Sequence, residues 1–287
     1  MDRIRLEARA KLNLSLNVLP ETGEHGYYRV IFLNVQAALA DSVELERLPE
    51  PGFAINAESV DGKENIALRA ARLMFVEYGL PGGLAITLEK AIPIRAGLGG
   101  GSSDAAAVIN GINDLFGLSL ALEQRVRLAQ GLGMDVCYCV VGGVCTVEGV
   151  GDVITPHPYP SPALDLLIAT PPVRKPSTAW AYSVLDPSSI GRSLAKLDGL
   201  MEGIRERDPA GIARGLHNDF QAPIERHYPV TREIRERMRV KGALGVILAG
   251  SGLSVFGIFE SEGACRSVKE ELEREGVECS ATRIAGV

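Results

Sequence analysis

Residues 93–107 read Pro93-Ile-Arg-Ala-Gly97-Leu98-Gly99-Gly100-Gly101-Ser102-Ser103-Asp104-Ala-Ala-Ala107, a glycine-rich turn that runs straight into a helical pattern. Gly97, Gly99, Gly100 and Gly101 free the backbone for φ > 0 and let it approach another group without a Cβ in the way. Ser102, Ser103 and Asp104 carry N-cap chemistry, and Ala105, Val108, Ile109, Ile112, Leu115 and Phe116 recur on one helical face. A helix is therefore expected from about Ser103 to near Gly117. Glycine amides followed by unpaired N–H groups and the positive end of a helix dipole make a site for phosphate oxygens. The ordinary alternative is a plain strand-to-helix turn, but dense glycine with hydroxyls on the first helical turn favours phosphate. No lysine follows the glycines as in a Walker A loop, and Ser102 stands where a dinucleotide fingerprint has its third glycine. A third kind of phosphate loop is required.

Upstream, Leu84 to Glu89 reads as the strand that delivers the chain to this loop, and a helix is expected from Glu64-Asn65 to Tyr78 with Gly79 as its stop. Farther back, Ile4 to Leu19 alternates apolar and polar residues as one half-buried strand or a pair, with Lys11, Asn13, Ser15 and Asn17 on one face. A turn over 20–26 leads to Tyr27, Tyr28 and a strand-like Val30 to Ala40. Adjacent tyrosines at a loop exit serve either as core aromatics or as a platform for a flat ligand. Downstream, a helix from about Ser119 to Gln130 precedes Gly133-Met-Asp135-Val-Cys137, where Asp135 is the one charge in an apolar stretch, either a helix cap or a site residue.

Val144 to Glu148 and Asp152 to Ile154 read as a hairpin, and the proline-rich 156–162 passage reads as a linker, which divides the chain into 1–157 and 158–287. The second half opens on a strand at Leu164 to Ala169 and a short helix capped by Ser177 or Thr178 that carries Trp180 and Tyr182. Helices follow around 193–205, 209–216 and 230–241. A strand, a tight turn at Gly250-Ser251-Gly252 and a second strand come next, then an amphipathic helix over 261–275 and a last strand. This alternation predicts an α+β fold, with a parallel sheet not expected.

At 287 residues with a formal net charge of -6, the chain has no basic surplus for nucleic acid, so anionic ligands need local cations. No apolar run reaches the ~18 residues of a membrane span and Met1-Asp-Arg-Ile-Arg lacks a signal-peptide core, so a cytosolic protein is expected. Its five cysteines form no paired C-x-x-C frame, and Cys137 and Cys139 read as small core residues.

Ala10-Lys-Leu-Asn-Leu14, Gly26-Tyr27, Glu64-Asn65-Ile66, the glycine loop, Gly133-Met-Asp-Val136, Glu148-Gly-Val-Gly151, Asn218-Asp-Phe220 and Gly250-Ser-Gly-Leu-Ser254 together span nearly the whole chain. In these stretches it resembles the GHMP kinases, the superfamily named for galactokinase, homoserine kinase, mevalonate kinase and phosphomevalonate kinase. The resemblance is strongest to members that act on a cytidyl diphosphate sugar alcohol in non-mevalonate isoprenoid biosynthesis. It implies an N-terminal half like ribosomal protein S5 domain 2 that binds ATP, and a ferredoxin-like C-terminal half that contributes to acceptor binding. It also implies a monomer or homodimer using ATP and Mg²⁺ to phosphorylate the 2-hydroxyl of the methylerythritol unit.

The resemblance gives Asp135 the acceptor's proton and gives Lys11 the stabilisation of that carboxylate and of the transferred phosphoryl group. Gly97, Leu98, Gly99, Gly100 and Gly101, with Pro93 leading in, are implied at the phosphates, and Ser102 or Ser103 at a phosphate or Mg²⁺. Asn65 and Lys90 match positions near the adenine. On the acceptor side it implies Asn13, Tyr27, Tyr28, Thr178, Tyr182, Gly250, Ser251 and Gly252. The chain departs from the family at Gly26-Tyr27-Tyr28, where Gly-Tyr-His is usual, and a phenol cannot reproduce the two-sided hydrogen bonding of an imidazole. Alternatives are a kinase of the same superfamily with another small anionic alcohol, or a catalytically silent nucleotide-binding regulator.

Overall fold

A computed structural model of the chain describes residues 2–22, 26–57, 65–94, 96–159 and 164–285. Glu64, Arg95 and parts of the expected turn at 20–26 and linker at 156–162 lie outside the described residues. The chain forms two compact units interleaved along the sequence: Met1–Lys11, Leu39–Ile94 and Gly99–Gly142 make one, and Leu12–Ala38, Arg95–Leu98 and Gly143–Val287 the other.

Two long strands, β1 (Arg3–Thr22) and β2 (Tyr28–Leu48), contribute to both units. In the first unit, β3 (Gly52–Ala57), α1 (Ile66–Tyr78) and β4 (Gly83–Glu89) follow, then α2 (Gly100–Leu115), α3 (Leu122–Gln130) and α4 (Met134–Val141). Its sheet runs β3-β4-β2-β1; β4 is antiparallel to β2 but parallel to β3, so the sheet is mixed. The mixed sheet agrees with the expectation that the chain would not build a parallel one, and α1 serves as the crossover that the parallel β3–β4 pair requires. Helix α1 has the expected ends: Asn65 Oδ1 accepts from Ala67 N at 2.8 Å, and Gly79 closes it in the left-handed region. Its buried face, Ala67, Ala70, Ala71 and Met74, packs on α2, whose Ala105 to Ile109 are all buried.

The start of α2 corrects the sequence reading. The cap is Gly99, at φ 70°, and the helix begins at Gly100, three residues before Ser103. Its first backbone bond runs from Ser103 N to Gly99 O at 2.8 Å, so Gly100 and Gly101, which the sequence assigns to the turn, open the first helical turn behind the Gly99 cap. Ser102, Ser103 and Asp104 are thus interior residues of the helix rather than its cap.

The second unit holds β5 (Cys145–Glu148), β6 (Val153–Pro156), β7 (Asp165–Thr170), α5 (Thr178–Ser183), α6 (Ala195–Glu206), α7 (Pro209–Gly215), β8 (His217–Asn218), α8 (Gln221–His227), α9 (Pro229–Val240), β9 (Gly245–Leu248), β10 (Val255–Phe259), α10 (Glu262–Arg274) and β11 (Glu278–Arg283). Strands β7, β9, β10 and β11 form an antiparallel sheet in the order β11-β7-β10-β9. Taken in chain order this is a 4-1-3-2 sheet with helices in its crossovers, the ferredoxin-like arrangement. Phe220, Ile234, Met238, Val255, Phe259 and Leu272 lie in its core. Ser261 caps α10 by accepting from Ala264 N at 3.3 Å. Among the described residues no helix is long and apolar enough to cross a membrane.

Candidate active site

Lys11 and Asp135, 124 positions apart in sequence, meet in the first unit with Nζ 3.5 Å from Oδ1. Strand β1 holds Lys11 with only 7% of its side chain exposed, whereas Asp135, in the first turn of α4, keeps 48% of its own exposed. The helix N-terminus favours a negative charge at that position. The lysine is thus placed by its surroundings, and the carboxylate keeps a face available to a reactant. Gly99 is what lets Lys11 lie there: a Cβ on Gly99 would stand 2.7 Å from Lys11 Cγ. The glycine that caps α2 is also the surface over which the lysine stem runs.

The amides of Gly100, Gly101 and Ser102 precede the first intrahelical bond of α2, where a helix offers donors to an anion. Gly100 and Ser102 are half-buried and Gly101 is exposed, while Pro93, Leu98 and Ser103 are buried. Leu98 can therefore offer a ligand only its backbone. Ser103 Oγ donates to Arg9 O at 2.7 Å and lies 3.3 Å from Cys139 Sγ, so its hydroxyl is spent inside the unit. Burial pushes the Cys139 thiol up to about 12 and keeps it protonated. Cys137 is buried too, as the sequence anticipates for both.

Lys90 is in a different setting from that of a ligand-reading residue. Its ammonium bonds Asp41 Oδ2 and, at 2.5 Å, Asp104 Oδ2, and all three side chains are nearly buried. Asp41 Oδ1 also accepts from Ala91 N at 2.6 Å and Ile92 N at 2.8 Å, which fixes the segment leading into the loop. One lysine cannot neutralise two buried carboxylates. Burial pushes the Asp104 carboxyl up to about 7 against the pull of Lys90, with Asp41 adding to the rise. Nothing in the sequence singles out Asp41, whose partners lie about 50 positions away. Asn65 spends its Oδ1 as the cap of α1.

The second unit carries the other expected residues. Asn13 Nδ2 donates to Asn34 Oδ1 at 2.7 Å, both buried on neighbouring strands. Tyr28 and Tyr182 stack, with ring centroids 6.1 Å apart and planes 10° from parallel, and Tyr182 stands edge-on to Phe220 at 4.9 Å. Tyr27 is 67% exposed and takes no part in that stack. Thr178 is exposed at the first position of α5, whose cap is Ser177, accepting from Trp180 N at 3.0 Å. Gly250 and Gly252 are buried in the turn between β9 and β10, with Ser251 half-buried between them. Gly97 lies against that turn through backbone alone.

A helix that starts on three glycines beside a lysine–aspartate pair is suited to phosphoryl transfer to a hydroxyl. Family models for the GHMP kinases N terminal domain and the GHMP kinases C terminal match residues 65–143 and 200–278. The chain belongs to the GHMP kinase family and is an ATP-dependent kinase. Within that family, relatives similar to it over nearly their whole length carry the name 4-diphosphocytidyl-2-C-methyl-D-erythritol kinase. That from Alkaliphilus metalliredigens is 34% identical over 275 residues, 95% of this chain and 93% of the relative. That from Geobacillus kaustophilus is 35% identical over 288 residues, 99% and 98% of the two chains. A solved structure of 4-(cytidine 5'-diphospho)-2C-methyl-D-erythritol kinase superposes with a TM-score of 0.86 at 33% identity and covers 99% of this chain and 100% of its own. Homoserine kinase from Cytophaga hutchinsonii, at 21% identity and a TM-score of 0.77 over 100% of this chain and 95% of its own, shares the fold.

Proposed function

We propose that the chain transfers the γ-phosphoryl group of ATP to the 2-hydroxyl of 4-diphosphocytidyl-2-C-methyl-D-erythritol, giving the 2-phosphate and ADP. The observation that carries this reading is the Lys11–Asp135 pair at 3.5 Å, one member buried and the other open. The names and full-length coverage of the relatives support the choice of acceptor. A new bond forms between the acceptor oxygen and Pγ while the bond from Pγ to the β,γ-bridging oxygen breaks. Asp135 takes the hydroxyl proton, and Lys11 carries charge that gathers on the phosphoryl oxygens. Such a transition state is loose, so positioning and charge supply most of the acceleration, with a placed base adding ~10²–10⁴-fold.

The amides of Gly100, Gly101 and Ser102 would hold phosphate oxygens, and Gly97 and Leu98 would add backbone donors. Ser102 Oγ is an oxygen of the kind that would ligate Mg²⁺, whereas Ser103 Oγ is committed to Arg9 O, and Mg²⁺ would keep most of its shell for phosphates and water. When bound, the ion neutralises charge on the β- and γ-phosphates. Asn13, Tyr27, Tyr28, Thr178, Tyr182 and the Gly250–Gly252 turn would hold the acceptor, and stacking on a base is worth roughly 1–3 kcal/mol per ring. Tyr28 favours one second reading, a different small anionic alcohol as acceptor, because its ring is already stacked on Tyr182.

A panel of acceptors separates the two. ADP release from Mg-ATP with the cytidyl methylerythritol should exceed that with galactose, homoserine or mevalonate by about 10⁴-fold, the scale on which sites built to hydrogen-bond a polar partner discriminate. Equal rates would remove this acceptor.

A further inference from the structure

The side chain of Asn218 is spent on backbone, and that of Asp219 on backbone and on the His217 ring. Asn218 is buried; its Nδ2 donates to Leu248 O at 2.9 Å and Gly250 O at 2.8 Å, and its Oδ1 accepts from Phe220 N at 2.9 Å. Asp219 Oδ2 accepts from Val18 N at 2.7 Å and Gly191 N at 3.0 Å, and its Oδ1 pairs with His217 Nε2 at 2.8 Å. Asp219 therefore anchors β8 on β1, and from that anchor Asn218 grips the end of β9 and the turn after it.

Among the described residues, the atoms nearest the Cβ positions of Gly97 and Gly252 are backbone atoms of the facing segment. A Cβ on Gly252 would stand 2.8 Å from Ala96 O and 3.0 Å from Gly97 Cα, and a Cβ on Gly97 would fall onto Ala249 O. The two backbones meet directly, so a shift of one is passed to the other. Two carbonyls and one N–H are matched by an amide's two N–H donors and one oxygen, and by no other side chain of that size.

We propose that Asn218 is a positioning residue for nucleotide binding: its grip on the Leu248 and Gly250 carbonyls makes the 249–252 turn a fixed backstop for Ala96 and Gly97. The proposal rests on the phosphate role of the loop. It assigns Asn218 no contact with ATP; its effect passes through the turn. Asn218→Asp keeps size and the bond from Phe220 N but sets carboxylate oxygen against two carbonyls.

The test is Mg-ADP binding by calorimetry together with KM for ATP, on protein whose near-UV circular dichroism matches the wild type. Asn218→Asp should weaken Mg-ADP and raise KM for ATP by roughly tenfold, as expected for lost buried hydrogen bonds, with kcat changed by less than about threefold. Gly252→Ala, which presses on Ala96 from the other side, should likewise weaken Mg-ADP, and the double variant should bind Mg-ADP no worse than the poorer single one. If Asn218→Asp does not fold, Gly252→Ala alone carries the test, and unaltered Mg-ADP binding in it overturns the backstop. Wild-type affinity in a folded Asn218→Asp, or strictly additive losses, overturns the role of Asn218. A wild-type protein that does not bind Mg-ADP overturns the kinase reading with it.

Discussion

Lys11 with Asp135 and Lys90 with Asp41 and Asp104 are both lysine–carboxylate groups of the first unit, and each touches the glycine helix. They differ in what is left over. In the first, a buried lysine faces one carboxylate whose side chain is 48% exposed, so the carboxylate keeps oxygen surface for a substrate proton. In the second, the ammonium is divided between two buried carboxylates, and Asp41 is further committed to the amides of Ala91 and Ile92. On the proposed reading the open pair is arranged for chemistry, while the closed triad holds the chain on either side of the glycine loop. Proximity of lysine to aspartate does not tell the two apart, whereas the exposure of the carboxylate does.

The contrast can be broken by removing each lysine in turn. Lys11→Met should lower kcat by about 10²–10³-fold, the scale for losing one preorganised electrostatic donor, with a thermal midpoint near that of the wild type. Little change in turnover would put the charge stabilisation elsewhere. Lys90→Met should do the reverse. It leaves two buried carboxylates without a counter-charge, a loss of about 3–5 kcal/mol that lowers the midpoint by roughly 10 °C, while kcat per folded molecule stays within about threefold. A stable Lys90→Met protein that no longer binds Mg-ADP would return Lys90 to the nucleotide.

The smallest effect sharpens the description of the triad. The Asp104 carboxyl sits at about 7 in the folded protein against 3.8 for an ordinary aspartate, so between those values the native chain holds a proton that the unfolded chain has released. Its contribution to stability is whole below about pH 4 and is lost as pH rises through 7. Asp104→Asn removes this titration, and the wild-type decline in thermal midpoint from pH 5.5 to 8 should flatten by a few degrees. A slope equal to that of the wild type would mean that Asp104 stays ionised throughout.

How far the sequence carried depends on the range over which each feature is set. Helix α1 was readable because Asn65 and Gly79 are local signals, and α10 because Ser261 opens an amphipathic run. Lys11, Asp135 and the glycine loop were legible through motif resemblance, although their juxtaposition joins β1 to α4 across more than a hundred residues. The start of α2 was misplaced because serines and aspartate are the usual caps, and here a left-handed Gly99 takes that position. Strand β3, parallel to β4, and the short α8 carried no pattern strong enough to stand out. The Lys90 triad was illegible because its partners come from β2 and α2, and its charges balance only in three dimensions.

Single-turnover formation of ADP by Asp135→Asn, with Mg-ATP and the cytidyl methylerythritol and with Mg-ADP affinity measured on the same protein, tests the open pair most directly. The expected result is a rate at least ~10²-fold below wild type, the least a placed base contributes, with nucleotide affinity within about threefold. A rate close to wild type would contradict the account, because the acceptor's proton would then leave without the carboxylate that Lys11 holds in place.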